Sequence, residues 1–342
     1  MFNSITIIGS GLTGLMLAHE LKSASVHSLL IDKGRKPGGR ISTKVLGDCI
    51  FDTGPGWFHT DIQMTPSAIY SALLAIGADP VPAADLPISV RFGLPETIST
   101  QSWKIPGSIR QLAEELAKPL EILQSLQLVK ISRNTDFWTL QFKDSAHGGD
   151  PFELESKQVV LTMPWPQILE LLMESDLIDL MAHQDMPEIP DYERCLVGIF
   201  QWPGLPAPFD QTGFFEPLGH PLIRLLKFQP VSSGNHSITV QASPDWSLEN
   251  WDLGHAEILK ELQLSASAIL KMELQPSASS LHKWKYARLQ PSPNPSSSSP
   301  VILCQNPFLM VAGEAFGMNT NFRSGILASQ NSAKLAARSI LS

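Results

Sequence analysis

Ile5-Thr6-Ile7-Ile8-Gly9-Ser10-Gly11-Leu12-Thr13-Gly14-Leu15-Met16-Leu17-Ala18-His19-Glu20-Leu21-Lys22 is the stretch from which the rest of the chain is read. Residues 5–8 form a β-rich apolar run too short for a helix. Residues 15–22 are good helix formers, with Leu17, Ala18 and Leu21 on one side. A second apolar run, Ser28-Leu29-Leu30-Ile31, stops at Asp32. Strand, glycine turn, helix and strand make the βαβ unit of a doubly wound α/β fold.

GxGxxG gains meaning only from context, and here the context is complete: strand before, helix after, and an acid eighteen residues beyond Gly14. Gly9 permits the tight turn, Gly11 lets the backbone approach a pyrophosphate, and Gly14 allows close helix–strand packing. The helix N-terminus offers unpaired N–H groups and a positive dipole end to phosphates. Asp32 is placed to accept from a ribose hydroxyl and to repel a 2′-phosphate, which favours FAD or NAD over NADP. Lys33-Gly34-Arg35-Lys36-Pro37-Gly38-Gly39-Arg40 then leads into a paired-glycine turn among basic residues. Gly38 and Gly39 would bring amides to the far side of a pyrophosphate, and Arg40 would add charge-assisted contacts. That second turn decides for flavin. The bland alternatives are a glycine turn in an unrelated α/β protein and a solvated basic loop.

With 342 residues, 43% apolar and 17% charged, the chain suits an ordered globular protein of one large or two modest domains. A net charge of −8, spread along the sequence, argues against nucleic-acid binding, which needs clustered Lys and Arg. No run approaches the roughly 18–20 apolar residues of a membrane span. The N-terminus enters a strand pattern directly rather than a signal peptide. Cys49, Cys195 and Cys304 are isolated, which argues against a disulfide framework and a cysteine zinc site. The expectation is a cytoplasmic protein without nucleic-acid or membrane partners; oligomeric state is not legible.

Helical patterns cover residues 67–76 and 108–116, separated by a segment with Pro80, Pro82, Pro87 and Pro95 that fits neither a continuous helix nor a central strand. Residues 126–131 and 137–142 alternate as strands around Asn134-Thr135, and 158–163 reads as a strand buried on both faces. From Pro164 to about Leu289 the pattern is β-rich (196–200, 222–228, 237–241, 281–288), with one helix over 254–270. The Pro/Ser run 291–300 reads as an exposed loop and 326–341 as a final helix.

Gly9-x-Gly11-x-Thr13-Gly14, Asp32-Lys33, Gly38-Gly39-Arg40-Ile41-Ser42-Thr43 and Asp52-Thr53-Gly54 together resemble the flavin-containing amine oxidase superfamily. The short chain, His282-Lys283-Trp284-Lys285-Tyr286-Ala287-Arg288 and Met310-Val311-Ala312-Gly313-Glu314 resemble its renalase-like branch. The resemblance implies a para-hydroxybenzoate-hydroxylase-like architecture. Its Rossmann-like FAD-binding domain would be built from 1–75, 100–165 and 300–342, with a mixed-sheet substrate domain from 76–99 and 166–299.

Carried over by motif, Gly9, Ser10, Gly11, Leu12, Thr13 and Gly14 would meet the pyrophosphate, and Asp32 with Lys33 the adenosine ribose. Gly38, Gly39 and Arg40 would face the phosphates, and the strand of Leu128 the adenine. Pro55, Gly56 and Trp57 would border the ring. Gly313 and Glu314 would approach the ribityl or pyrophosphate region. Arg323, Ser324, Gly325 and Ile326 would open the final helix, whose positive end suits a negatively charged reduced flavin. Two departures stand out. Gly54-Pro55-Gly56-Trp57 replaces the usual Gly-Ala-Gln-Tyr, so a Gln is missing beside the ring, and Glu314 replaces an Asp.

At a period of two, His282, Trp284, Tyr286 and Arg288 share one face, with Lys283, Lys285 and Ala287 on the other. The first face, with Trp57 and Phe58, offers walls for a flat substrate; core packing is the alternative. His59 and His282 are the candidate bases if the donor is an amine. By resemblance, the reaction is oxidation of 2- or 6-dihydro-NAD(P) to NAD(P)+, with O2 reduced to H2O2. The competing expectations are an amine or other small-molecule oxidase, and a flavin-binding module without turnover.

Overall fold

The computed structural model describes residues 2–56, 58–61, 67–82, 100–144, 151–182, 184–203, 213–230, 235–290, 298–318 and 324–342. Trp57, Pro87, Pro95, Arg323 and most of the Pro/Ser run lie outside them. The chain opens with β1 (Phe2–Ile8), α1 (Leu12–Ser23) and β2 (Leu29–Ile31), then a hairpin of β3 (Thr43–Leu46) and β4 (Cys49–Asp52). Next come β5 (Phe58–Asp61), α2 (Ala68–Ala75), β6 (Asp79–Val81), β7 (Thr100–Lys104), α3 (Arg110–Ala117) and β8 (Glu121–Leu123). β9 (Leu126–Arg133), β10 (Trp138–Asp144), β11 (Phe152–Leu161) and α4 (Trp165–Glu174) follow. The later chain holds β12 (Tyr192–Pro203), β13 (Gly213–Phe215), β14 (Ile223–Pro230), β15 (Asn235–Ala242), α5 (Pro244–Glu249), α6 (His255–Leu270) and β16 (Ala278–Leu289). β17 (Val301–Gln305), β18 (Phe308–Val311) and α7 (Gly325–Leu341) close it.

β1 is central and parallel to both β2 and β11, with Ile8 opposite Ile31 and Leu161. β2 is apolar throughout, and β1 and β11 become apolar toward their ends (Ile7-Ile8 and Val159-Val160-Leu161), where both faces are covered. Ile5 and Ile7 pack against Leu15, Leu17 and Leu21 of α1 and Ala333 and Ala336 of α7. On the other face Ile8 and Ile31 meet Trp138, Leu140 and Phe142 of β10 and Ile168 and Leu172 of α4. The sheet runs β17-β18-β11-β1-β2-β8, with β10 and β9 continuing from β11. α4 lies inside the region whose sequence reads as β-rich; its Pro166 is at a helix start, where the missing N–H costs nothing.

A second, five-stranded antiparallel sheet runs β13-β14-β15-β12-β16. One face buries Leu196, Phe200, Leu226, Phe228 and Val240 against Ile258 and Leu262 of α6. The other face is turned to the β3–β4 hairpin, where Cys49 and Phe51 pack with Cys195, Val197 and Ile199. A three-stranded sheet, β5-β7-β6, keeps Pro80 on its edge strand, where no ladder donor is needed.

Candidate active site

Gly9 has φ +110°, a conformation that excludes ordinary side chains, and a Cβ there would lie 2.6 Å from Thr162 Oγ1. A Cβ on Gly14 would collide with the Gly9 carbonyl oxygen, so helix and turn touch only because Gly14 has none. Gly11 is the N-cap of α1 and has no side-chain cap bond; a Cβ there would meet nothing within 4 Å. Gly38 donates its N–H to the Ser10 carbonyl (2.8 Å), which sets the second glycine turn against the first. Two glycine turns thus flank an open space at a helix N-terminus whose donors carry no side-chain cap. That is a fit for an anionic pyrophosphate. Leu12 and Thr13 begin the helix and are buried.

Asp32 does more than the sequence suggests. Its Oδ2 accepts from the Ser10 N–H (2.5 Å) and hydroxyl (2.9 Å), and its Oδ1 from the Gly34 N–H (2.6 Å). The carboxylate therefore holds the glycine turn in shape. Lys33 reaches away to Gln167 Oε1 on α4 (3.3 Å). The Asp32 carbonyl accepts from Leu126 N–H, and Leu128, two residues on, is buried with Ile8 and Leu29.

Arg40, expected at phosphates, forms an ion pair with buried Glu314 and donates to the Ala287 carbonyl (3.3 Å). Burial opposes its charge, but Glu314 and Tyr192 outweigh that and hold its pKa above the usual value. Burial, reinforced by Glu314, pushes the Tyr192 phenol up to about 12. Gly313 has φ +136° and gives its N–H to Ser332 Oγ (2.9 Å). A Cβ on Gly325 would collide with Glu314 Oε1, so the carboxylate rests against Gly325, the first residue of α7, with Ile326 next along the helix.

Residues 52–54 are gripped from three strands of the second sheet. Lys227 of β14 forms an ion pair with Asp52, Trp284 of β16 donates to the Thr53 carbonyl (2.8 Å), and Gln241 of β15 donates to the Gly54 carbonyl (2.6 Å). Asp52 also accepts from Thr43 Oγ1 (2.8 Å) and the Ile109 N–H (3.1 Å). Leu225 and Phe214 pack so close to Gly56 that a Cβ there would lie 3.0 and 3.4 Å from them. Pro55 sits between these gripped positions. Lys227 and Gln241 were missed in the sequence; the available signal was a lysine flanked by Leu226 and Phe228, and a glutamine flanked by Val240 and Ala242.

The His282–Arg288 segment departs from simple alternation. Cys195 faces Trp284 and Glu193 faces Arg288, so two residues of β12 span four of β16. This irregularity turns Ala287 to the same cluster as Trp284, correcting the period-of-two expectation. His282 and Trp284 meet edge to face at 4.5 Å, and Tyr286 meets Tyr192 at 5.7 Å. His282 Nε2 is buried with no hydrogen-bond partner among the described residues, and burial, then Lys44, lowers its pKa to about 4. His59 is elsewhere, with Nδ1 2.9 Å from Ser102 Oγ and its carbonyl held by Gln330; burial lowers its pKa to about 4. No hydrogen bond or ring contact joins His59 to His282 among the described residues.

Residues 7–71 match the NAD(P)-binding Rossmann-like domain family. The chain is 23% identical to renalase from Mus musculus, covering 98% of this chain and 99% of that protein. A putative protoporphyrinogen oxidase from Exiguobacterium sp. 255-15 superposes with a TM-score of 0.67 at 14% identity, over 99% of this chain and 98% of that one. Putrescine oxidase, solved with putrescine bound, gives 0.62 at 12% identity, over 100% and 99%.

Fold and cradle define the class: this is an FAD-dependent oxidoreductase with a Rossmann-like core. Its likeness to renalase runs the whole length of the chain.

Proposed function

We propose that this flavoprotein oxidises a dihydronicotinamide isomer, 2- or 6-dihydro-NAD(P), to NAD(P)+ with O2 and a proton consumed and H2O2 released. In this reading residues 1–75, 100–165 and 300–342 hold FAD, and 76–99 and 166–299 cover it. Gly9, Ser10, Gly11, Thr13 and Gly14 take the pyrophosphate with Gly38, Gly39 and Arg40; Asp32 takes a ribose; Glu314, Gly325 and Ile326 approach the ribityl and ring. Bound FAD supplies the hydride acceptor and returns the electrons to O2.

The observation that carries the reading is the Trp284 indole hooked onto the Thr53 carbonyl, a rigid flat wall beside residues 54–56. A planar dihydropyridine stacks on such a wall with its donor carbon held within about 3–3.5 Å of its acceptor. The histidines support the same choice. Both candidate bases have pKa values of about 4, which makes them weak proton acceptors. An electron-rich dihydropyridine gives up a hydride without a base.

Anaerobic titration with 2- and 6-dihydro-NAD(P), and separately with amines, reads the donor from loss of the flavin band. Stoichiometric bleaching by a dihydronicotinamide isomer is expected; bleaching by amines alone would overturn the proposal.

A further inference from the structure

β15 lays its side chains alternately on the two faces of the second sheet. Ile238, Val240 and Ala242 join the core with Ile258 and Leu262 of α6, which leaves Ser237, Thr239 and Gln241 on the face turned to the β3–β4 hairpin. Ser237 Oγ donates to the Ile50 carbonyl (2.6 Å) and Gln241 Nε2 to the Gly54 carbonyl (2.6 Å). Only the NH2 end of an amide can face a carbonyl, so this bond fixes the orientation of Gln241 and leaves Oε1 as an acceptor. Gln241 is 8% exposed, and among the described residues its Oε1 has no hydrogen-bond partner. Thr239 Oγ1, on the same strand, is unpartnered and sealed off; Gln241 Oε1 is not sealed off.

The surroundings of that oxygen suit a ligand. Pro55 follows the gripped carbonyl and has no N–H to offer. Residues 51–53 are buried, whereas 54–56 are partly exposed. Leu225, opposite Gln241 in the β14–β15 ladder, packs with Phe214 against Gly56 and gives the place an apolar border. Trp284 holds the carbonyl of Thr53, so the indole and the Gln241 amide sit on consecutive carbonyls of one segment. Consecutive Cα atoms lie about 3.8 Å apart, so the flat wall and the open acceptor belong to one small site. A sheltered acceptor without a donor is unfavourable alone and becomes favourable when a ligand N–H meets it.

We infer that Gln241 is a specificity-determining residue of the substrate site, whose Oε1 accepts the carboxamide N–H of a nicotinamide ring lying against Trp284. This deepens the proposed function and rests on it. The carboxamide is attached directly to such a ring, so an acceptor at the rim of a flat wall meets it edge-on. A ring bearing a carboxylate there would set negative charge against the oxygen, and one bearing a methyl ketone would leave the oxygen without a donor.

The test uses FAD-loaded protein titrated with NAD+, 3-acetylpyridine adenine dinucleotide and nicotinic acid adenine dinucleotide, followed by calorimetry and by perturbation of the flavin spectrum. Wild type is expected to bind NAD+ about three- to ten-fold more tightly than the acetylpyridine analogue, the worth of one neutral hydrogen bond, and to bind the nicotinic acid analogue more weakly still. Gln241→Met should bring the ratio of NAD+ to acetylpyridine affinity close to one. Gln241→Lys keeps a donor for the Gly54 carbonyl but has no acceptor, so it should lose the ratio as well. A role confined to gripping Gly54 would weaken all three dinucleotides alike; a ratio unchanged in the variants, or close to one in wild type, would overturn the assignment. Anaerobic bleaching by 2- and 6-dihydro-NAD(P) tests the donor separately. Bleaching without any ratio would leave the proposed function standing and remove Gln241 from it. A ratio controlled by Gln241 in a protein bleached by amines alone would uphold the carboxamide site while the proposed donor fails. A wild-type protein that binds none of the three dinucleotides would overturn the site itself.

Discussion

Lys227 on β14 is ion-paired with Asp52 at the end of β4, with side-chain exposures of 8% and 2%. The pair ties the second sheet to the hairpin that leads into residues 53–56, and Gln229 adds a 3.4 Å bond to the same Asp52 oxygen. Removing one partner leaves a buried charge uncompensated, which typically costs about 3–5 kcal/mol. Lys227→Met should therefore lower the urea midpoint sharply, and Lys227→Met with Asp52→Asn should recover part of the loss. Equal midpoints for wild type and the single variant would show that the pair does not hold the two sheets together.

The glycines of the first turn should separate by function. Gly14→Ala forces a Cβ into the Gly9 carbonyl, so it should destabilise the protein even without FAD. Gly11→Ala meets no protein atom within 4 Å and should leave the apoprotein as stable as wild type. Its methyl group would occupy space needed for close approach of the pyrophosphate, so FAD affinity should drop by at least ten-fold. Thermal melts of the apoprotein, paired with FAD titrations, decide this; a Gly11→Ala protein that binds FAD normally would mean the phosphates lie elsewhere.

Trp284 acts through its flat face and its hydrogen bond to Thr53. Trp284→Ala should raise KM for the donor far more than it reduces FAD content, and Trp284→Phe should recover much of the KM because the flat ring remains. Parallel loss of FAD in both variants would assign the indole to the core instead.

His59 and His282 are each held to a pKa of about 4, first by burial, against an ordinary 6.5 in the unfolded chain. Between those values the unfolded chain takes up protons that the folded protein refuses, so stability falls as pH drops from 6.5 toward 4 and levels off below. The slope is about 1.4 kcal/mol per unit for each histidine so shielded, and His59 and His282 share it. Urea midpoints measured across this window should flatten in His59→Gln; an unaltered slope would mean that His59 titrates normally.

The FAD-binding half was legible because its constraints are local. Gly9, Gly14 and Gly38 are required by backbone geometry within a few residues, and Ile7, Leu30 and Val160 announce buried parallel strands because each lies in a short apolar run. The roof over the site was legible only as β-rich character. The grip of Lys227, Trp284 and Gln241 on residues 52–54 spans separations of 175, 231 and 187 positions, and no periodicity encodes such pairings. Ala287 shows the same limit, since an irregular register between β12 and β16 reverses the face that alternation assigns to it.

By itself, then, the sequence determined the βαβ core, its glycine turns and the acid at Asp32, because steric rules for glycine and apolar burial act at short range. Tertiary structure alone decided that Asp32 shapes the turn it follows, that Arg40 meets Glu314, and that Lys227 meets Asp52. Those relations depend on long side chains converging from strands far apart in sequence, and only the packed sheets fix where such chains end.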